Sequence, residues 1–230
     1  MARTRVKMCG FIRPADAAAA TELGVDAIGL NFVKGPRKIT FDRAADILDQ
    51  VGPMVQPVAL LGDGYQLYHP FDFLDRGETS TPISTFQLYD DDPDLTEFDK
   101  HPAVFSWWWV AHVKARTSIE ALHHQFDHFD LHQPAAMLLD TAATGKLGGT
   151  GQTFDWNWIA EARAAGELKG LPPLILAGGL TPENVAEAIR IARPYAVDVS
   201  SGVEVAGQPG VKDHIKMRDF LQAVRGVDGE

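Results

Sequence analysis

Ala196-Val197-Asp198-Val199-Ser200-Ser201-Gly202 is an apolar run interrupted by one aspartate and ended by a Ser-Ser-Gly turn. A short apolar run of this kind reads as a buried strand, and a turn of small residues at its end gathers main-chain N–H groups where an anion can sit. Near the start, Val6-Lys7-Met8-Cys9-Gly10 is a second such run and carries the only cysteine of the sequence. The two segments read as the two ends of one barrel. A thiol at one strand end and a phosphate cradle at another suggest acid–base chemistry on a phosphorylated small molecule.

Working outward from these ends, strand-like runs recur with helical stretches between most of them, the pattern of parallel βα units. The candidate strands are Arg5–Cys9, Ala27–Phe32, Val55–Leu61, Thr85–Tyr89, Val104–Val113, Ala136–Asp140, Leu174–Ala177 and Ala196–Val199. The clearest helices are Pro14–Leu23, Phe41–Val51, Ser118–Phe129, Trp156–Ala165 and Thr181–Ala192. Gly24 stands where a left-handed C-cap is expected, Thr40 is an N-cap, and Thr181 before Pro182 is another. Eight strands in 230 residues predict a single-domain (β/α)8 TIM barrel spanning residues 1–230 rather than an open doubly wound sheet. Between Gly62 and Ser84 the helical period is lost and Pro70 would interrupt a helix, so a broken helix or long loop is expected.

Hydrophobic residues make up 45% and charged residues 23% of the sequence, the balance of an ordinary globular protein. The net charge of −10 argues against nucleic-acid binding, which needs clustered Lys and Arg. No run approaches the roughly 18 apolar residues that cross a bilayer, and the first residues show no signal-like apolar stretch, so a cytoplasmic protein without a membrane partner is expected. One cysteine cannot form an intramolecular disulfide. Nothing in the pattern decides between monomer and homodimer.

In a barrel, chemistry sits at the C-terminal strand ends, and phosphate binds the loops after the seventh and eighth strands. Gly178-Gly179 after the seventh and Ser200-Ser201-Gly202 after the eighth fit that rule. Cys9 and Asp140 both end apolar runs, and a carboxylate there costs desolvation unless it meets water or a partner. By itself each has a bland reading, Cys9 as packing and Asp140 as a loop cap. Asp198 lies inside a strand, where alternation points it into the barrel mouth or toward a neighbouring strand end. Arg37, in the loop after the second strand, is suited to pair with a substrate carboxylate or to remain a solvated loop charge. His123, His124 and His128 read as a solvated surface rather than a metal set, and Trp107-Trp108-Trp109 as packing on both faces of a strand. Gly148-Gly149-Thr150-Gly151 lacks the lysine of a Walker loop and reads as a mobile active-site loop.

Taken together, several motifs resemble the phosphoribosylanthranilate isomerase family of tryptophan biosynthesis. They include Val6-Lys7-Met8-Cys9-Gly10, Leu138-Leu139-Asp140-Thr141, Leu176-Ala177-Gly178-Gly179-Leu180-Thr181-Pro182-Glu183-Asn184, and Val197-Asp198-Val199-Ser200-Ser201-Gly202-Val203-Glu204 with Lys212-Asp213-His214. The resemblance implies an Amadori rearrangement of N-(5′-phosphoribosyl)anthranilate, with no cofactor and no metal, the substrate nitrogen serving as electron sink. It implies Asp140 as general acid on the ribose ring oxygen and Cys9 as general base at C2′. Cys9 would then be partly thiolate, through a local environment that lowers its pKa. It also implies Asp198 and Arg37 as substrate ligands, Arg37 for the carboxylate, and Gly178, Gly179, Ser200, Ser201 and Gly202 as the phosphate site. The fourth strand departs from the family pattern, with Gln87-Leu88-Tyr89-Asp90 where Gln-Leu-His-Gly is usual. A barrel acting on a different aminated ribulose phosphate, or a non-catalytic phosphoribosyl sensor, remains compatible with the sequence.

Overall fold

A computed structural model describes residues 3–62, 83–89, 105–129, 133–141 and 153–229. Eight parallel strands close into a barrel in chain order. They are β1 (Arg5–Cys9), β2 (Ala27–Asn31), β3 (Gln56–Leu61), β4 (Thr85–Leu88), β5 (Ser106–Val113), β6 (Ala136–Thr141), β7 (Leu174–Leu176) and β8 (Ala196–Val199). Closure is made by β1 against β8, with Lys7 opposite Asp198 and Met8 opposite Val199. The helices are α1 (Pro14–Leu23), α2 (Phe41–Leu48), α3 (Arg116–Glu120), α4 (Leu122–Phe126), α5 (Asn157–Ala164), α6 (Val185–Ala192) and α7 (His214–Asp228). Among the described residues no helix is long and apolar enough to cross a membrane.

Strand alternation sorts the core into two layers. Val6, Met8, Ile28, Leu30, Leu139, Val197 and Val199 face outward and join Ile47, Ile159, Met217 and Phe220 of the helices in one buried cluster. Each such side chain contributes about 1.5–3 kcal/mol of hydrophobic stabilisation. Facing inward, Val110, Ala136, Leu138, Ile175 and Ala196 form a second cluster with Trp108 packed on it. The three tryptophans divide as alternation requires, for Trp107 and Trp109 both make edge contacts with Phe129 on the outside.

Several helix boundaries differ from the sequence expectation for local reasons. Gly24 does cap α1 in the left-handed region, and the Thr40 side chain accepts from the Arg43 N–H. Helix α2 stops at Leu48, and the chain continues in turns with Gln50 N–H donating to Ile47 O and Val51 N–H to Leu48 O. The expected helix over Ser118–Phe129 starts earlier, at Arg116, and is split in two before a short 3-10 turn at Asp127–Phe129. Ser118 lies inside its first turn, and its Oγ accepts from the Lys114 and Ala115 N–H groups.

Thr181 is not the N-cap of the helix that follows it. Its Oγ accepts from Glu183 N–H, closing a turn, and α6 begins at Val185 after Asn184. Helix α7 is absent from the sequence reading, yet Asp213 caps it by accepting from Ile215 and Lys216 N–H. The expected irregular segment between Gly62 and Ser84 and the glycine-rich loop at Gly148–Gly151 lie outside the described residues, apart from the ends of the first. His124 and His128 are exposed, and their rings touch each other on the surface.

Candidate active site

The inward face of the barrel turns polar toward the C-terminal strand ends. Lys7, Gln87, Asp140 and Asp198 are all at least nine-tenths buried there, and a cavity opens above them. Cys9, Arg37, Tyr89, Asp140, Gly178, Gly179, Asp198, Ser200 and Ser201 line it, together with Asn31, Leu60 and Leu180. One mouth thus gathers eight of the nine expected site residues. Gly202 stands behind the wall: a Cβ there would lie 1.9 Å from Leu180 O, so the eighth loop can close against the seventh only with glycine at this position.

Lys7 is the central feature that the sequence reading left without a role. It is two residues before Cys9 on the same face of β1, and its Nζ lies 2.9 Å from Asp198 Oδ1. The pair meets without the alignment of a good hydrogen bond, so it is best described as a buried ion pair. Burial acts to strip the Lys7 charge, but Asp198 and Cys9 outweigh it and hold the ammonium above its ordinary range. A lysine in an otherwise apolar strand was the available signal, since a buried ammonium needs a partner.

The Cys9 thiol occupies space that Gly29 leaves open on β2, where an added Cβ would lie 2.5 Å from Sγ. A glycine inside a strand commonly marks such a close approach. Contrary to the expected lowering, the Cys9 pKa is raised: burial pushes it up and Asp198 adds to that, while Lys7 and Lys212 pull it down. Asp140 is pushed up to about 6, by burial first and by the Asp198 charge second. It therefore holds a proton at a pH where an ordinary carboxyl does not.

Behind the thiol a buried ionic network joins three loops. Lys212 Nζ donates to Cys9 O at 2.5 Å, to Ser200 O at 3.1 Å and to Glu204 Oε1 at 3.0 Å. Glu204 also accepts from Arg37 Nε and Nη2 at 2.7 and 2.8 Å. Burial acts to raise the Glu204 carboxyl, yet Arg37 and Lys212 hold it below its usual range. Burial depresses Lys212, opposed by Glu204. Asp16 extends the network outward by accepting from the Lys212 N–H, from Arg13 and from His214 Nε2.

The loops after β7 and β8 are shaped for an anion. Gly178 and Gly179 both have positive φ, 86° and 65°, and Asn184 Nδ2 fixes them by donating to Gly179 O at 3.0 Å. The Asn184 Oδ1 accepts from Thr181 N–H at 2.8 Å. Among the described residues, the N–H groups of Gly179, Ser201 and Gly202 make no main-chain turn or loop hydrogen bond, so these donors are available to an anion.

A family model described as N-(5′-phosphoribosyl)anthranilate (PRA) isomerase matches residues 6–223. The chain belongs to the phosphoribosylanthranilate isomerase family. It is 40% identical over 229 residues to the N-(5′-phosphoribosyl)anthranilate isomerase of Pseudomonas fluorescens, covering 98% of this chain and 100% of that one. Among solved structures it is similar to phosphoribosyl anthranilate isomerase from Thermotoga maritima, with a TM-score of 0.77, 29% identity and 97% and 99% of the two chains covered. Another structure of phosphoribosyl anthranilate isomerase holds reduced 1-(o-carboxyphenylamino)-1-deoxyribulose 5-phosphate, with a TM-score of 0.74, 28% identity and the same shares covered.

Tyr89 also faces the cavity, beside Cys9 and Leu60. Gln87 Nε2 donates to Tyr89 Oη at 2.9 Å. Burial and the neighbouring acidic groups keep the Tyr89 phenol protonated far above its usual range. Tyr89 thus adds an aromatic wall and a neutral hydroxyl to the cavity.

Proposed function

We propose that this protein isomerises N-(5′-phosphoribosyl)anthranilate to 1-(2-carboxyphenylamino)-1-deoxyribulose 5-phosphate. The single observation that carries the reading is the meeting of Cys9 and Asp140 at one cavity mouth beside the Gly178–Gly179 and Ser200–Ser201 loops.

The first step needs an acid at the ribose ring oxygen. Asp140, with a pKa raised to about 6, supplies that proton, and the C1′–O bond breaks to give a protonated Schiff base between C1′ and the anthranilate nitrogen. This cation acidifies the C2′–H bond. It also stabilises a thiolate close by, so Cys9, neutral in the unliganded site, becomes competent as a base once the iminium has formed. Cys9 takes the C2′ proton, and the electron pair moves into a C1′–C2′ double bond, giving the enolamine. Reprotonation at C1′ with loss of the C2′ hydroxyl proton yields the ketone.

Lys7 holds Asp198 in place and carries positive charge beneath the thiol. Asp198, facing the cavity, accepts hydrogen bonds from the ribose hydroxyls. Main-chain donors of the Gly178–Gly179 and Ser200–Ser201 loops, with Gly202 shaping the second of them, hold the phosphate. Arg37 takes the anthranilate carboxylate, and no cofactor or metal enters any step.

The test is the fall in substrate fluorescence when the pure protein is added to N-(5′-phosphoribosyl)anthranilate formed by condensing anthranilate with ribose 5-phosphate. Turnover abolished by Cys9→Ala and by Asp140→Asn, with product binding retained, is the expected result. Near-normal rates in Cys9→Ala would overturn the mechanism.

A further inference from the structure

A carboxylate one shell behind the cavity decides how Arg37 meets its ligand. Arg37 projects from a surface loop whose neighbours Pro36 and Lys38 are exposed, and such a side chain ordinarily samples solvent. Here its stem lies across the main chain just after Cys9, for a Cβ on Gly10 would be 2.5 Å from Arg37 Cδ. Glu204, 5% exposed, grips the side-on edge of the guanidinium through Nε and Nη2. A guanidinium has a second two-pronged edge, formed by Nη1 and the other hydrogen of Nη2. That end-on edge is left for the cavity that Arg37 lines.

Glu204 is itself fixed from the opposite side. Its Oε1 accepts from Lys212 Nζ, its own main-chain O accepts from Lys216 Nζ at 2.9 Å, and Glu204 and Lys212 pair as an antiparallel bridge. Lys212 Nζ also reaches Cys9 O and Ser200 O. One carboxylate therefore ties the Arg37 loop to the strand bearing the thiol and to the loop after β8.

We infer that Glu204 is the positioning residue for substrate-carboxylate recognition: it clamps the side-on edge of Arg37 so that the end-on edge is presented, pre-ordered, to an aryl carboxylate. This rests on the reading of Arg37 as the carboxylate partner. Glu204 touches no substrate in this account and acts through Arg37, by removing the ordering cost that a mobile arginine would incur on binding.

The test compares two ligands, the reduced product bearing the 2-carboxyphenyl group and its counterpart made with aniline, which lacks the carboxylate. Inorganic phosphate serves as a probe of the intact fold. The wild-type protein is expected to prefer the carboxylated ligand by about 10–100-fold, the range of a charge-assisted bidentate contact. In Glu204→Gln that preference falls to within about threefold, while phosphate affinity stays within about twofold of wild type. Glu204→Asp, which keeps the charge, recovers part of the preference.

If Glu204→Gln fails to bind phosphate, the charge-balanced pair Glu204→Gln with Lys212→Met is measured by the same ratio, and a retained preference there overturns the inference. An unchanged preference in folded Glu204→Gln also overturns it. Arg37→Ala separates the two levels of argument. If that variant keeps the preference, the reading of Arg37 itself fails. If it loses the preference while Glu204→Gln keeps it, only the role of Glu204 fails.

Discussion

Asp140→Asn should make the protein more stable at neutral pH while removing its activity. The Asp140 carboxyl is 7% exposed and titrates at about 6 rather than 3.8. Its folded pKa lies above its unfolded value, so the native state binds the proton more tightly. The stabilising contribution is fully present below pH about 4 and is lost as pH rises through about 6. The full displacement corresponds to about 3 kcal/mol. The asparagine amide never ionises and so escapes this loss, though an unmade amide hydrogen bond would return about 1 kcal/mol of it. The variant is therefore expected to exceed wild type by about 2 kcal/mol at pH 8, about 4–8 °C in Tm for a chain of this size. The gap should close and then reverse, to about 1 kcal/mol in favour of wild type, as pH falls to about 4.

Urea unfolding of both proteins at pH 4.5, 6 and 8 reads this directly, since the comparison needs only the difference in midpoint at constant slope. A gap that does not change with pH, or a variant less stable at pH 8 than at pH 4.5 relative to wild type, would refute the argument that burial holds the proton on Asp140. Turnover should fall by about 10²–10⁴-fold, the usual worth of a general acid.

Lys7→Met removes the partner of Asp198 and should cost about 3–5 kcal/mol, as expected when one member of a buried ion pair is lost. The same change should slow alkylation of Cys9 by iodoacetamide at fixed pH, because Lys7 pulls the thiol pKa down; equal rates would count against it. Gly202→Ala places a methyl 1.9 Å from Leu180 O and must displace the loop after β8. Calorimetric titration with inorganic phosphate should show at least about tenfold weaker binding, with stability lowered by about 1–3 kcal/mol from overpacking. Gly29→Ala drives a methyl to 2.5 Å from Cys9 Sγ, so turnover should drop while phosphate affinity holds. Loss of both together would mean that the strand, not the thiol, had moved.

Much of the candidate site's placement was legible because strand ends in a barrel are fixed by position. Cys9 and Asp140 could be placed as the ends of short apolar runs, Asp198 by alternation within one, and the glycines after β7 and β8 by the loops they had to form. Lys7 was legible in principle, as a cation in an apolar strand, but its value lies in a partner on β8 and no local pattern names that partner. Helix α7 shows the same gap at the level of the fold. Met217, Phe220, Leu221 and Val224 are buried at helical spacing behind the Asp213 cap, a pattern more amphipathic than those of α1 and α5 and therefore available in the sequence.

By itself the sequence determined the number and direction of the strands, because hydrophobic period and turn chemistry are local properties of the chain. It also determined which residue types stand at the strand ends. Only the tertiary structure decided which charges compensate one another. Lys7 found Asp198 through the register that closes the barrel, and Arg37 found Glu204 across a long separation in sequence. It decided the protonation chemistry as well: the Cys9 thiol was expected to ionise readily, but burial raised it. Desolvation depends on how many atoms from distant strands crowd a group, a quantity that no run of neighbouring residues records.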